Sequence, residues 1–248
     1  SDEEKYDEYF SAMDRIGVPD ELLEVWAAAE AKLLRPLPAP VASDAPGNIP
    51  RRAREICLIA MQNILGQSGV DSQAWFDGTA IFDAYLRTGR SSVRELPLLS
   101  AAMVRMLWKE EKNHQERGIA FDFTRLPAAF AASLIGEGFS EALDSSVVMS
   151  GNKEELKAEL DLIEMKFLCS LSWRVNLPSL AKWTKAFFRR LSVAVQPQQE
   201  TQVAKLWEYS MWHVWKLTLC ALPGADFPPQ RLARGLVVFM SWHSRIMP

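Results

Sequence analysis

The residue types that most often carry catalysis or bind metals are sparse in this sequence and do not group. The three histidines, His114, His213 and His243, lack the spacing of metal ligands and have no obvious acidic partner. No glycine-rich phosphate loop, Gly-x-Ser-x-Gly turn or recognisable Cys/His nucleophile motif is present. The sequence therefore predicts no catalytic site, no metal site and no cofactor site.

Two charged residues, Lys109 and Glu164, are considered first by their neighbours in the sequence. A lysine ammonium offers three hydrogen-bond donors, and a glutamate carboxylate accepts such donors. Lys109 begins a Lys-Glu-Glu-Lys run, a pattern typical of a solvated helix end. Glu164 lies between Ile163 and Met165 in an apolar stripe, where a glutamate can simply mark the solvent edge of a helix. From the residues alone, the favoured interpretation of both is a solvent-facing helix position, with a binding role as the alternative.

Composition and charge indicate a folded protein that lacks the overall positive charge needed to bind a nucleic-acid backbone. Of the 248 residues, 48% are apolar, which is enough for one or two hydrophobic cores, and the net charge is -3. The N-terminal SDEEKYDEYF is acidic, unlike a signal peptide, and no apolar run approaches the roughly 18 residues that span a bilayer. We expect an intracellular protein, nuclear or cytoplasmic, that binds neither nucleic acid nor membrane.

The three cysteines, Cys57, Cys169 and Cys220, are odd in number and isolated from one another. Each is embedded in an apolar helical pattern. We therefore expect small core residues of a protein from a reducing compartment, with no disulfide framework.

Apolar residues recur at helical spacing along nearly the whole chain. Leu22, Trp26 and Leu33 mark a first helix within residues 19–34, and the Pro- and Ala-rich stretch 36–50 predicts a linker. No alternating run is long enough to demand a sheet, so the predicted fold class is all-α. Further helices are predicted over residues 51–65, 72–85, 98–113, 126–135, 153–173, 179–193, 200–222 and 229–244.

Two of these segments also indicate where their helix lies in the fold or what it binds. The strong apolar stripe of residues 153–173 predicts the central helix of a domain. The aromatic residues of the segment 200–222 crowd one helix, where core packing is the commoner interpretation and a partner-binding stripe the alternative. These residues are Trp207, Tyr209, Trp212 and Trp215.

Several motifs follow one another in a distinctive order between Arg54 and Ser179. A first helix led by an arginine (AREICLIAMQNIL) precedes one ending in FDAYL and a third ending in a lysine and acids (MLWKEE). The run IEMKFLCSLSWRVNLPS then supplies a glutamate, a leucine-rich turn, an aromatic residue soon after the Ser-Leu pair, and a proline that restarts the chain. This order resembles a cyclin box. From Pro178 onward, FPPQRLARGLVVF resembles a proline-led helix of a second box.

The resemblance implies a cyclin-box helical bundle with one complete box and a shortened second box. Residues 1–49 are then an N-terminal helix and linker. Residues 50–177 are the first box with an insertion near 118–152, and residues 178–248 are the second, shortened domain.

The resemblance also implies a function without catalysis. In cyclins, a lysine and a glutamate of the first box bind a cyclin-dependent protein kinase, and the matching positions are Lys109 and Glu164. Because an N-terminal helix of many cyclins contacts the kinase, Leu22, Leu23 and Trp26 are further candidates for kinase binding. The expected activity is to hold the mobile C helix of the kinase in its active position.

Two positions depart from the cyclins of the cell cycle. Ala60 stands where their substrate-docking tryptophan would fall, and Ile59 where its acidic neighbour would fall. The resemblance therefore gives no support for a substrate-docking surface at Ile59 and Ala60. Two alternatives stay open: a cyclin-fold scaffold that does not activate a kinase, and an adaptor resembling transcription factors with paired cyclin-like folds.

Overall fold

A computed structural model describes residues 20–33, 49–88, 91–110, 121–143, 152–171, 177–220 and 228–246. These ranges contain nine α-helices, short 3₁₀ turns and no β-strand, so the prediction of an all-α fold is confirmed. None of the described helices is long and apolar enough to cross a membrane. The helices are α1 (Asp20–Leu33), α2 (Arg51–Gln67), α3 (Ser72–Leu86), α4 (Leu96–Glu110), α5 (Leu126–Gly136), α6 (Lys153–Ser170), α7 (Leu180–Ala194), α8 (Glu200–Cys220) and α9 (Pro229–His243).

The chain divides into two compact units. The continuous unit comprises residues 36–176 and therefore helices α2 to α6. The split unit comprises residues 1–35 and 177–248, so that α1 belongs with α7, α8 and α9.

Helix α4 is the centre of the continuous unit, because it packs against α2, α3, α5 and α6. Every residue from Leu99 to Leu107 is buried, and a helix buried on all sides must be apolar nearly all round. The prediction that residues 153–173 form the central helix is wrong. Helix α6 buries a single face, and its inward side chains are Leu160, Ile163 and Phe167.

A buried ion pair joins α2 to α3. Arg54 Nε donates to Asp83 Oδ1 at 2.5 Å and Arg54 Nη2 donates to Asp83 Oδ2 at 2.6 Å, and both residues are buried. This bidentate geometry satisfies both charges inside the unit and sets how the two helices meet. Arg54 leads the first motif of the cyclin resemblance and Asp83 lies in FDAYL, so two of those motifs are in direct contact.

The segment that the resemblance treats as an insertion contributes a core helix. Helix α5, predicted over residues 126–135, is confirmed, and it packs against α2 and α4. Phe130 and Leu134 are fully buried there. Of the predicted insertion, residues 121–143 are described and residues 118–120 and 144–151 lie outside the described ranges.

The split unit is organised around Trp183 of α7. Its indole is fully buried, and its Nε1 donates to the Glu30 carboxylate of α1 at 2.6 Å. Trp26 of α1 meets the same indole edge-on, with ring centroids 5.3 Å apart. At the other end of α1, Asp20 forms an ion pair with Arg190 of α7. Helix α1 is thus attached to α7 along its length.

Helix α4 starts two residues before its predicted position. Ser92 and Glu95 form a capping box, in which the Ser92 backbone N–H donates to the Glu95 carboxylate at 2.9 Å. A short 3₁₀ turn then leads directly into Leu96, and apolar spacing alone does not reveal such a turn. Residues 111–113, 172–173 and 221–222, which the pattern also assigns to helices, lie outside the described ranges, as do His114 and the linker residues 36–48.

The three cysteines do not share one environment. Cys57 is fully buried in α2, whereas Cys169 and Cys220 are exposed, so the prediction of three core cysteines is wrong for the last two. Cys169 lies on the outward face of α6, and Cys220 is the last residue of α8. An apolar sequence neighbourhood does not tell which side of a helix a residue occupies.

We expect a thiol reagent to label Cys169 and Cys220 in the native protein and Cys57 only after unfolding. Burial raises the pKa of the Cys57 thiol from 9.0 to about 11, so the reactive thiolate is suppressed in the folded state. The same shift lowers the free energy of unfolding as pH rises from about 9 towards 11, because the unfolded chain loses this proton first. Mass spectrometry of labelled protein counts the thiols, and three rapid labels under native conditions would contradict the prediction.

Candidate functional site

Lys109 and Glu164, which are 55 residues apart in the chain, form an ion pair. Lys109 Nζ donates to Glu164 Oε2 at 2.7 Å. Lys109 lies in the last turn of α4, and Glu164 lies near the middle of α6. The two helices are neighbours because the apolar face of α6 packs on the buried core that α4 forms. The structure therefore brings together two of the residues that the sequence analysis selected.

Arg105 and Asp161 extend this pair into a charged network. Arg105 Nη2 donates to Asp161 Oδ1 at 2.5 Å, and Arg105 Nε lies 3.4 Å from Glu164 Oε1. The cations are spaced i, i+4 on α4 and the acids i, i+3 on α6, so a row of positive charge faces a row of negative charge. The sequence analysis missed Arg105 and Asp161, because their spacing on two separate helices carries no signal until α4 and α6 are known to be adjacent.

The network has a buried middle and two exposed ends. The side chains of Arg105 and Glu164 are 9% and 13% exposed, whereas those of Lys109 and Asp161 are 43% and 55% exposed. Charges act more strongly on each other where water is excluded, so Arg105 attracts the Glu164 carboxylate from the buried side, although it makes no hydrogen bond to Oε1. The exposed Lys109 side chain is within reach of a second molecule. Such an arrangement can anchor a partner.

Aromatic rings lie beside the residue that precedes Lys109. The Trp108 ring meets the Phe123 ring edge-on at a centroid distance of 5.3 Å, and the ring centroids of Phe121 and Phe123 are 4.9 Å apart.

Asp122 lies between these two phenylalanines in the sequence. Hydrogen bonds from the Thr124 hydroxyl and then from the Lys153 ammonium lower the pKa of its carboxyl group from 3.8 to about 2. Asp122 therefore stays ionised and ties the start of α6 to the turn before α5.

The outward face of α6 carries two exposed apolar side chains, Leu162 and Met165. Met165 follows Glu164 directly in the chain. Apolar groups placed next to a charged anchor are the usual composition of a protein-binding surface, in which apolar contacts occupy the centre and charges the rim.

The candidates of the N-terminal helix have a different setting. Leu23 is buried, and Leu22 and Trp26 are half-buried, with Trp26 against Trp183. These three residues belong to the split unit, whereas Lys109 and Glu164 belong to the continuous unit. Their role in binding a kinase stays a prediction.

The aromatic residues of α8 divide between core and surface. Trp207 packs edge-on against Phe188, as the core interpretation predicted. Tyr209 and Trp212 are exposed, and Trp212 stacks on Trp215. For Tyr209 and Trp212 the core interpretation is wrong, because most of each side chain faces solvent.

A scan of protein-family models finds no match to this chain, and a search of curated proteins finds none that is recognisably similar. The resemblance to cyclins therefore depends on the sequence motifs alone. In the part of the chain that the structure describes, no group of three or more His, Cys, Asp or Glu side chains is placed to hold a metal ion.

Proposed function

We propose that this chain is a cyclin-like regulatory subunit that binds a cyclin-dependent protein kinase and holds the kinase C helix in its active position. In this proposal, residues 50–177 form a first cyclin box and residues 178–248 a shortened second one. The observation that carries the proposal is the 2.7 Å pairing of Lys109 with Glu164, the two positions that match the kinase-binding residues of cyclins.

The charged network suits a surface that must be rigid before its partner arrives. Arg105 attracts the Glu164 carboxylate from the buried side, and Glu164 accepts a hydrogen bond that orients the Lys109 ammonium. A preoriented ammonium bonds carbonyl groups at a loop or helix end of the partner without first losing side-chain freedom. The two motifs joined by Arg54 and Asp83 support the same assignment, because they place α2 and α3 in one bundle with α4.

The regulatory effect follows from differential binding. A kinase transfers phosphate once the glutamate of its C helix meets the lysine that holds the ATP phosphates. A subunit that binds the C helix better in that position shifts the kinase towards its active state and supplies no chemistry of its own. Leu162 and Met165 give α6 exposed apolar area, of which Met165 directly follows Glu164 in the chain, and burial of such area contributes to binding.

We expect the parent protein to capture kinase activity from an extract of its source and a Lys109→Ala, Glu164→Ala variant to capture at least about tenfold less. Loss of an anchoring charge pair at an interface commonly costs this much or more. The measurement is phosphate transfer to a histone-type substrate by the bound material, with circular dichroism to verify folding of each variant.

Two matched variants separate recognition from structure. Glu159→Ala with Lys166→Ala removes an exposed acid and an exposed lysine from α6, and it should capture as much activity as the parent. Lys109→Met keeps an unbranched apolar side chain on α4 and leaves Arg105 facing Glu164, but it removes the ammonium, so it should keep the fold and lose the activity. Capture by the Lys109→Met variant would contradict the anchoring role. No captured activity with the parent would favour a cyclin-fold scaffold or adaptor instead.

A further inference from the structure

Helix α9 presents an uncovered apolar face. Val238 and Phe239 are each 53% exposed and Trp242 is 73% exposed. Their spacing places them on one side of the helix, opposite the buried side chains Ala233 and Met240. Contiguous apolar area of this kind commonly marks a surface that another molecule covers.

Gly235 lies on the same side of α9, one turn before Phe239. A Cβ atom placed on Gly235 would meet no neighbouring group within 4 Å, so no packing inside the chain requires a glycine there. Glycine is among the least favourable residues inside a helix, but it lets a second backbone approach closely. Gly235, Val238, Phe239 and Trp242 are here called the outer face of α9.

Positive charge surrounds the outer face of α9. Arg231, Arg234 and Arg245 are exposed, as is His243. The sequence of residues 228–246 contains no aspartate or glutamate. A helix that covers this face should therefore offer small apolar side chains flanked by acids.

Helix α1 of the same unit presents a surface of that composition. Val25 is 64% exposed there. The sequence of residues 20–31 contains no lysine or arginine. The exposed residues of this stretch are acidic, small or apolar, follow helical spacing along one side, and are here called the outer face of α1: Asp20, Glu21, Glu24, Val25, Ala28 and Ala31.

The two outer faces do not cover each other within one molecule, because both are exposed. Helix α1 turns its other side inward. There the Glu30 carboxylate accepts hydrogen bonds from Trp183 of α7 and from the Gln230 backbone N–H of α9. Each outer face is thus open to a second molecule.

Charge determines which pairing between two copies is favourable. Two α9 faces would bring arginines together and two α1 faces would bring glutamates together, and like charges repel. The α1 face of one copy and the α9 face of another combine opposite charges. The two helices also match in length, with 14 and 15 residues, and Ala28 and Gly235 leave room for their axes to approach closely.

From these observations we infer that the outer face of α9 binds the outer face of α1 of a second copy of this chain. In this contact, Val25 and Ala28 lie against the apolar side chains of α9, while Glu21 and Glu24 meet its arginines. Both faces belong to the split unit, whereas the proposed kinase anchor belongs to the continuous unit. The two proposals can therefore fail independently.

Sedimentation equilibrium of the full chain over a range of concentrations tests this inference. We expect the average mass to rise above the 28.0 kDa of one chain as the concentration increases. Val238→Ser with Trp242→Ser should weaken self-association at least about tenfold. Tyr209→Ser with Trp212→Ser, which removes exposed aromatic rings from α8 of the same unit, should leave self-association unchanged.

Charge reversal identifies the surface that α9 meets. Glu21→Lys with Glu24→Lys gives a chain with positive charge on both faces. Arg231→Glu with Arg245→Glu gives a chain with acids on both faces. Each variant alone should associate at least about tenfold more weakly than the parent, because its faces now repel. A mixture of the two variants should associate, because every α1 face then meets an α9 face of opposite charge.

Several outcomes would overturn the inference. A parent that stays monomeric at every concentration is one, and reversed variants that remain monomeric when mixed are another. A monomeric parent that binds vesicles of phosphatidylserine and phosphatidylcholine, and loses that binding in Val238→Ser with Trp242→Ser, would assign the face to a lipid surface instead.

Gly235→Gln gives a second test that does not depend on the folding of the reversed variants. The new side chain enters open space, so circular dichroism should show an intact fold. It also blocks the close approach of a second helix, and self-association should weaken at least about tenfold. Unchanged self-association of this variant would equally refute the inference.

Discussion

Replacing Asp83 with alanine is expected to lower the free energy of unfolding by about 3–5 kcal/mol, the cost of breaking a buried ion pair from one side. The Arg54 guanidinium has its Nε and one terminal nitrogen bonded to this carboxylate, and both residues are buried in the continuous unit. Without Asp83, a permanently charged group remains in a low-dielectric environment with its main acceptor removed. Urea denaturation followed by circular dichroism measures the loss.

The double variant Arg54→Met, Asp83→Leu is the control for this prediction. It removes both charges and fills a similar volume, so it should recover most of the stability that Asp83→Ala loses. If Asp83→Ala lowers the free energy of unfolding by less than about 1 kcal/mol, the effect is that of an exposed ion pair, and water must reach Arg54. Equal losses in the single and double variants would show that the pair itself, and not the stranded charge, stabilises the unit.

Replacing Trp183 with alanine is expected to destabilise the split unit by about 3–5 kcal/mol, as for other large aromatic residues in cores. The indole is fully buried and contacts Trp26, Phe187 and the Glu30 carboxylate. The substitution leaves a cavity and also removes a donor from a buried carboxylate. Hydrogen exchange of the α1 and α7 amides, together with urea denaturation, measures the effect where it arises.

Two further variants, Trp212→Ala and Trp183→Phe, separate the effect of burying the ring from the effect of its hydrogen bond to Glu30. Trp212→Ala removes an exposed indole from the same unit and should change the free energy of unfolding by no more than about 0.5 kcal/mol. Trp183→Phe retains most of the apolar contact but not the bond to Glu30, and should cost about 1–3 kcal/mol. Normal stability of Trp183→Ala would mean that α1 is held to α7 by Asp20 and Arg190 rather than by the indole.

The helices were predictable to the extent that they bury one face. Helices α2, α5 and α7 show apolar residues at helical spacing, and local spacing is enough to recognise them. Which helix lies at the centre of the continuous unit was not predictable from the sequence. The pattern pointed to residues 153–173 as central, whereas α4 is the helix buried on all sides, because centrality depends on how many neighbours a helix has and not on how regular its stripe is.

One ion pair of the candidate site could be selected from the sequence, and the other could not. Lys109 and Glu164 were selected by resemblance to cyclins, and their contact is a property of the packed helices. Arg105 and Asp161 complete the network without any motif to mark them. Their spacing on two separate helices has meaning once α4 and α6 are known to be adjacent.

The sequence by itself determined the all-helical class, the positions of most helices and the absence of a recognisable catalytic motif. These properties follow from residue types and spacings within about fifteen residues of each other. The tertiary structure decided which charges meet, which cysteines and tryptophans face water, and that α1 packs with α7. Those outcomes depend on contacts between residues far apart in the chain, such as Glu30 with Trp183, and local periodicity carries no information about the far partner.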